Sequence, residues 1–487
     1  MKLKVLLLFW VMQLVAAMCT GFAQMSTAIQ EAVVYPPEDH STVTDSTILF
    51  TIKDIIITGN RQTRPNIILR EVAFKKGDRL PLNKLVGKFA DTKRQLINSG
   101  LFRDVVVSLQ SLQGLDAFVH IDVKERWYIY PIPFFRTVDR TFGEWVRDQH
   151  MDLRRVNYGI KIADNNITGR NDKLYVNLMN GYTKQLALTY QGLYLDNRLK
   201  WSANFGASFG KNRELNYTTI NNKLVALKVT NEYIHSFFNT FLEFSYRPAI
   251  NTRHSFGISY NYENIADTVF KLNPSFTNGK KAIHYPEFTY RLDYFNTDFN
   301  PYPTKGKVAQ IVASKKGINQ NMNLWQLVAK GSEYWPLSDK YLFNISAVGG
   351  IKAPFKQPYI TQQFIGYNDL FLQGYEYYVI DGVAGGYTKA TLSREILKTA
   401  FRVPEDPRLK KMRTFGTVPL RIYAKVYSDV GYIYNPDPGK NLLCNKLLFS
   451  GGVGLDIIAF YDFIIKVEWS FNQLGQNGLY LHRRNYF

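Results

Sequence analysis

Few residues in this chain could do chemistry, and their surroundings argue against it. Gly206, Ala207, Ser208, Phe209 and Gly210 spell G-x-S-x-G, the pattern that presents a hydrolase serine on a strained turn between a strand and a helix. Here the pattern lies inside the alternating run WSANFGASFG with no helix-forming segment behind it, so Ser208 is expected in a strand. The seven histidines are scattered, none at metal-ligand spacing, and no glycine-rich loop precedes a lysine to cradle phosphate. Of the two cysteines, Cys19 falls in an apolar leader and Cys444 stands alone, which leaves no disulfide framework and no cysteine metal centre. No catalytic residue, metal or cofactor is expected, and the chain reads as a non-enzyme.

The function must then lie in the elements. Residues 1–23 start with Lys2 and Lys4, run apolar over 5–18 and end Gly21, Phe22, Ala23, the make-up of a secretory signal cut before Gln24. The apolar run is shorter than the ~20 residues of a membrane-crossing helix. Cys19 behind Ala16, Ala17 and Met18 leaves a lipoprotein site as a lesser alternative. Residues 24–47 read as a linker, and beyond Gln24 no uninterrupted apolar stretch is long enough for a helical span. The exported chain is therefore soluble or a β-barrel. With 46% hydrophobic residues and a mean hydropathy of −0.21 it suits either, because a barrel that is apolar outside and polar inside averages like a soluble protein. The 32 tyrosines and 33 phenylalanines favour a barrel with aromatic girdles. A formal charge of +20, spread along an exported chain, points to a solvated lumen and loops, lipid phosphates or acidic polypeptides, and not to nucleic acid.

Residues 48–126 read as a small α+β domain. A strand (ILFTIKDIIITGN) leads to a helix over 64–74 with Pro65 at its start, a second helix over 82–98 with Leu85, Phe89, Leu96 and Ile97 near one face, and two strands, RDVVVSLQ and AFVHIDVKE. A β-α-α-β-β unit of this size leaves a sheet edge that is either blunted or offered to a partner strand. Residues 127–155, with RWYIYPIPFF, read as a linker.

Over 156–487 the period changes to two, as in DKLYVNLMNG, FNTFLEFSYR, SFGISYNYE and FIIKVEWSFN. In the last of these Phe463, Ile465, Val467, Trp469 and Phe471 share one face, opposite Ile464, Lys466, Glu468, Ser470 and Asn472. The strands are about ten residues long, the length a tilted membrane strand needs, and tight turns alternate with long polar loops. The chain ends on Phe487. About fifteen strands are clear, with a weak candidate over 217–231, and an even count makes sixteen the natural total. The expected fold is mainly β: a transmembrane antiparallel β-barrel of sixteen strands behind one small α+β domain. Residues 354–381 are a candidate filler of the lumen.

ITGN, ILRE, KKGD and SGLFRDV place Gly59, Asn60, Arg70, Glu71, Gly77, Asp78, Gly100, Leu101 and Phe102 at spacings that resemble a POTRA domain. LDYFNTDFNPYPTKG over 292–306, GGYTKATLSREI from Gly385, VYSDVGYIY from Val426 and GGVGLDI from Gly451 resemble the BamA/TamA type of outer-membrane assembly factor, the bacterial surface antigen family. That resemblance implies a loop folded into the lumen whose tip carries an arginine, glycine and aromatic. Here the tip reads Gln373, Gly374, Tyr375, and the wall residues implied to hold it are Glu395 and Asp429. Glutamine supplies no charge, a departure from the family pattern. The resemblance further implies residence in the outer membrane with the POTRA domain in the periplasm. Its implied partners are lipid, unfolded outer-membrane or secreted polypeptides and accessory periplasmic proteins. It also implies a weak seam between the first strand, near Tyr158, and the last, at Leu481 and Phe487. A polypeptide secretion pore and a passive or structural barrel remain alternatives to the assembly factor.

Overall fold

The computed structural model of the chain describes residues 48–138, 142–147, 150–229, 232–277, 279–319, 322–367, 370–402, 417–459 and 463–482. The expected leader, the linker 24–47, Cys19 and Phe487 lie outside them.

The small domain comprises β1 (Leu49–Thr58), α1 (Pro65–Arg70), β2 (Arg79–Pro81), α2 (Leu82–Asn98), β3 (Phe102–Gln113) and β4 (Asp116–Glu125). Its sheet runs β2-β1-β4-β3, with β1 and β4 parallel. Proline at the start of α1 costs no hydrogen bond, because the first helical N–H has no intrahelical acceptor. That helix ends at Arg70, short of the expected residue 74. The KKGD turn lets β2 fold back on the first residues of β1, a strand the sequence pattern did not show. Leu85 and Leu96 of α2 pack with Ile52, Ile67, Phe102, Val119 and Ile121 in one buried core. Each such side chain contributes roughly 1.5–3 kcal/mol by leaving water. Gly59 has φ +84°, and a Cβ there would lie 1.9 Å from the Val123 carbonyl oxygen, so the ITGN turn requires glycine.

Sixteen strands form one antiparallel sheet in which each pairs with its chain neighbours, from Ile129–Thr137 to Asn477–His482. The count matches the expectation, but its membership differs. Ile129–Thr137 comes from the stretch read as a linker, so the barrel begins there and not at residue 156. The segment 217–231, expected to supply a strand, instead contributes to a separate hairpin of Glu214–Ile220 and Lys223–Lys228. Its turn is made by Asn221 and Asn222, both at positive φ, a two-residue connection that asparagine tolerates.

Burial shows which way the strands face. In the fifteenth strand, Phe463–Asn472, Trp469 and Phe471 are each 51% exposed while Lys466 and Glu468 are buried. A soluble sandwich would bury the aromatic row and expose the charged one. The reversal puts the apolar face toward lipid and the charges inside the lumen. Inside, the segment between the eleventh strand (Tyr341–Ala353) and the twelfth (Ala384–Arg402) folds back, and its Leu372, Tyr375 and Ile380 pack on Tyr387, Ile433 and Leu448 of the wall region.

Candidate functional site

The tip of this lumen loop is held mainly through its backbone. The Gln373 N–H donates to Asp429 Oδ2 at 3.0 Å. Asn472 Nδ2 donates to the Gly374 carbonyl at 2.7 Å, and the Tyr375 hydroxyl donates to the Phe449 carbonyl at 3.1 Å. Gly374 has φ +83°, and a Cβ there would press on the Phe471 carbonyl at 3.1 Å, so a larger residue would lift the tip from the wall. Asp429 lies at the tip, whereas Glu395 does not meet it. Glu395 accepts instead from Arg421 Nε and the Tyr423 hydroxyl, both at 2.8 Å, and serves the wall itself. With glutamine at the tip, the positive charge near Asp429 comes from Lys389, its cross-strand partner, whose Nζ is buried 3.8 Å from Asp429 Oδ2 and 4.4 Å from the centre of the Phe371 ring. Beside it Lys425 bridges Asp456 and Glu468, each at 2.5 Å.

The two ends of the barrel sheet form the seam. Among the described residues no ladder joins Ile129–Thr137 to Asn477–His482. Tyr158 is not at the seam: it sits in the second strand, Val156–Asp164, between Phe135 and Asn180, because Ile129–Thr137 precedes it. Leu481 is in the last strand and 71% exposed. The hydrogen-bond phase of the first strand is set by its flanks, where the Tyr128 carbonyl accepts from the Asn165 N–H and the Val138 N–H donates to the Arg155 carbonyl, both at 3.0 Å. Even-numbered positions therefore bond to the second strand, and odd-numbered ones direct their backbone groups to the open edge. Pro131 and Pro133 are both odd, so two donors are missing from the edge that faces the seam.

The small domain has edges of its own. One is shortened by the three-residue β2, while β3, twelve residues long, has no partner on its outer side among the described residues. Turns of the barrel meet the other parts of the domain. Arg247 donates to Glu71 Oε1 and Oε2 at 2.5 and 2.9 Å, and Arg70 adds a contact to the same carboxylate at 2.9 Å. Burial pushes the Glu71 carboxyl up, but the hydrogen bonds and charges of Arg247 and Arg70 outweigh it and hold the group below the usual glutamate range. Asn166 Nδ2 donates to the buried Thr63 hydroxyl at 3.0 Å, and Asn98 Nδ2 donates to the Thr297 carbonyl at 3.2 Å. Arg70 and Glu71 were legible as domain residues. Their barrel partner Arg247, together with Lys389, Pro131 and Pro133, had no recognisable sequence signal. Ser208 lies in a strand opposite Ala187 and Asn239.

Residues 50–126 match the POTRA family, described as the surface antigen variable number repeat. Over 81 residues the chain is 31% identical to the outer membrane protein assembly factor BamA of Neorickettsia risticii (strain Illinois), a match that covers 17% of this chain and 10% of that relative. A solved BamA from Haemophilus ducreyi lacking POTRA domains 1–3 superposes with a TM-score of 0.50 at 13% identity, covering 89% of this chain and 83% of that one. CdiB from Escherichia coli superposes with a TM-score of 0.50 at 10% identity, covering 93% and 92%. At those identities the structural matches establish the fold.

Proposed function

We propose that this chain is an outer-membrane barrel protein of the BamA/TamA type, with one POTRA domain among its described residues, and that it assembles or inserts other outer-membrane proteins. In this reading the POTRA domain stands in the periplasm and captures unfolded chains by strand addition at β3. The seam is the second acceptor. The observation that carries the reading is the first barrel strand, whose edge has no ladder to the last strand among the described residues and lacks two donors at Pro131 and Pro133. A proline has no N–H to donate to any partner, so the seam is short of two bonds and opens more readily. The backbone groups this leaves unpaired on the last strand, each costing several kcal/mol in hydrocarbon, are then satisfied by an incoming strand. No catalytic group is needed, because the client's own hydrogen bonding and burial drive insertion.

Depletion of the protein in its native host, followed by quantitative proteomics of the outer membrane, tests this. Loss of many barrel proteins is the expected result. Loss of one secreted polypeptide alone would favour a secretion pore, and altered solute permeability alone a passive channel; either would overturn the assembly reading.

A further inference from the structure

Three residues from remote parts of the sequence meet where the lumen loop touches the last two strands. Glu376 follows the loop tip, Glu468 lies in Phe463–Asn472, and His482 closes Asn477–His482. One potential ligand atom from each lies within 4.8 Å of the others. Glu376 is only 7% exposed, and neither of its carboxylate oxygens has a hydrogen-bond partner among the described residues.

The imidazole of His482 faces this carboxylate with a fixed polarity. Its Nδ1 lies 2.7 Å from Glu468 Oε2, while Glu468 Oε1 accepts from Lys425 at 2.5 Å. An ionised carboxylate can only accept, so Nδ1 carries the proton and Nε2 can offer its lone pair toward Glu376. Nε2 and Glu376 Oε1 are 3.9 Å apart, too far for a hydrogen bond. Two arms of roughly 2.0–2.2 Å meeting at a tetrahedral angle span about 3.4 Å, so a cation held between them would draw Glu376 Oε1 about half an ångström closer to the imidazole. A carboxylate on the far ring nitrogen is the usual support of a metal-bound histidine. Phe371 stacks on the ring at 4.6 Å and restrains its plane.

We propose that Glu376 and His482, with Glu468 orienting the imidazole through Nδ1, bind one divalent transition-metal ion of the zinc class. The ion joins the lumen loop to the last barrel strand and so bolts one side of the seam. Its nitrogen and oxygen donors suit zinc better than calcium or magnesium, which take oxygen ligands.

The test uses untagged full-length protein in detergent, stripped with a chelator and titrated with zinc by calorimetry. Saturable binding of about one equivalent is expected in the wild type, weakened at least about tenfold in Glu376→Gln and in His482→Gln. Heat-dependent gel mobility establishes that each variant is a folded barrel. X-ray absorption of the zinc-loaded wild type, which needs no variant, should show imidazole nitrogen and carboxylate oxygen around the metal. No saturable binding by the wild type, as a plain imidazolium at His482 would give, overturns the proposal. So does equal affinity in both folded variants, or a coordination shell without imidazole. None of these outcomes depends on what the barrel's clients are.

Discussion

Gln373 stands where an arginine would bring a charge to Asp429, yet the loop tip reaches that carboxylate through a backbone N–H while Lys389 stands across the strand from it. The contact therefore survives loss of the glutamine side chain. Gln373→Ala is expected to change stability by less than about 1 kcal/mol. Asp429→Ala removes the acceptor and one of the carboxylates that face the buried Lys389, a loss of roughly 3–5 kcal/mol. Urea titration of the two variants, followed by heat-dependent gel mobility, measures both, and equal losses would show that the side chain of Gln373 carries the contact. The departure at residue 373 was legible in the sequence. Its compensation was not, because Lys389 and Asp429 become neighbours only through strand register.

At the scale of the element, the first barrel strand and the POTRA domain each carry a prediction. Pro131 and Pro133 hid the strand from a reading by periodicity, since proline argues against a central strand. The same residues are tolerated because their missing N–H groups fall on the open edge, which only the ladder to the second strand could show. Replacing both with valine restores two donors, so the seam should resist opening and assembly of a client barrel into liposomes should slow; an unchanged or faster rate would contradict the role given to them. The POTRA domain was legible because ITGN, KKGD and SGLFRDV set its turns, whereas its seat on the barrel through Glu71 and Arg247 depends on residues remote in sequence. Since the folded domain holds the Glu71 carboxyl below its ordinary value, this contact stabilises fully above about pH 4.3, the unfolded glutamate value, and is lost as pH falls through the depressed one. Hydrogen exchange in α1 should therefore stay constant from pH 7 to near that value, after correction for the intrinsic rate, and rise below it. Glu71→Gln should show the faster exchange already at pH 7. Acid-insensitive protection in the wild type would rule this contact out as the seat.

At the scale of the molecule, alternation carried the fold into view, but it could not say which face met lipid. Exposure decided that: Val453, near the middle of Leu447–Ala459, is 52% exposed, while the charged residues of the neighbouring strand are buried. Val453→Arg should cost roughly 2–4 kcal/mol in a bilayer, falling toward the interfaces, against about 0.5 kcal/mol or less on a water-facing surface. Folding titrations in vesicles separate the two. The central claim is that polypeptides are handled at the seam between Ile129–Thr137 and Asn477–His482. Its most direct measurement is a set of engineered cysteine pairs across these two strands, with client-barrel assembly into liposomes followed in the oxidised and reduced states. The account predicts that the crosslinked barrel stays folded and loses assembly, with activity restored on reduction. Full activity of the oxidised, folded protein would contradict it.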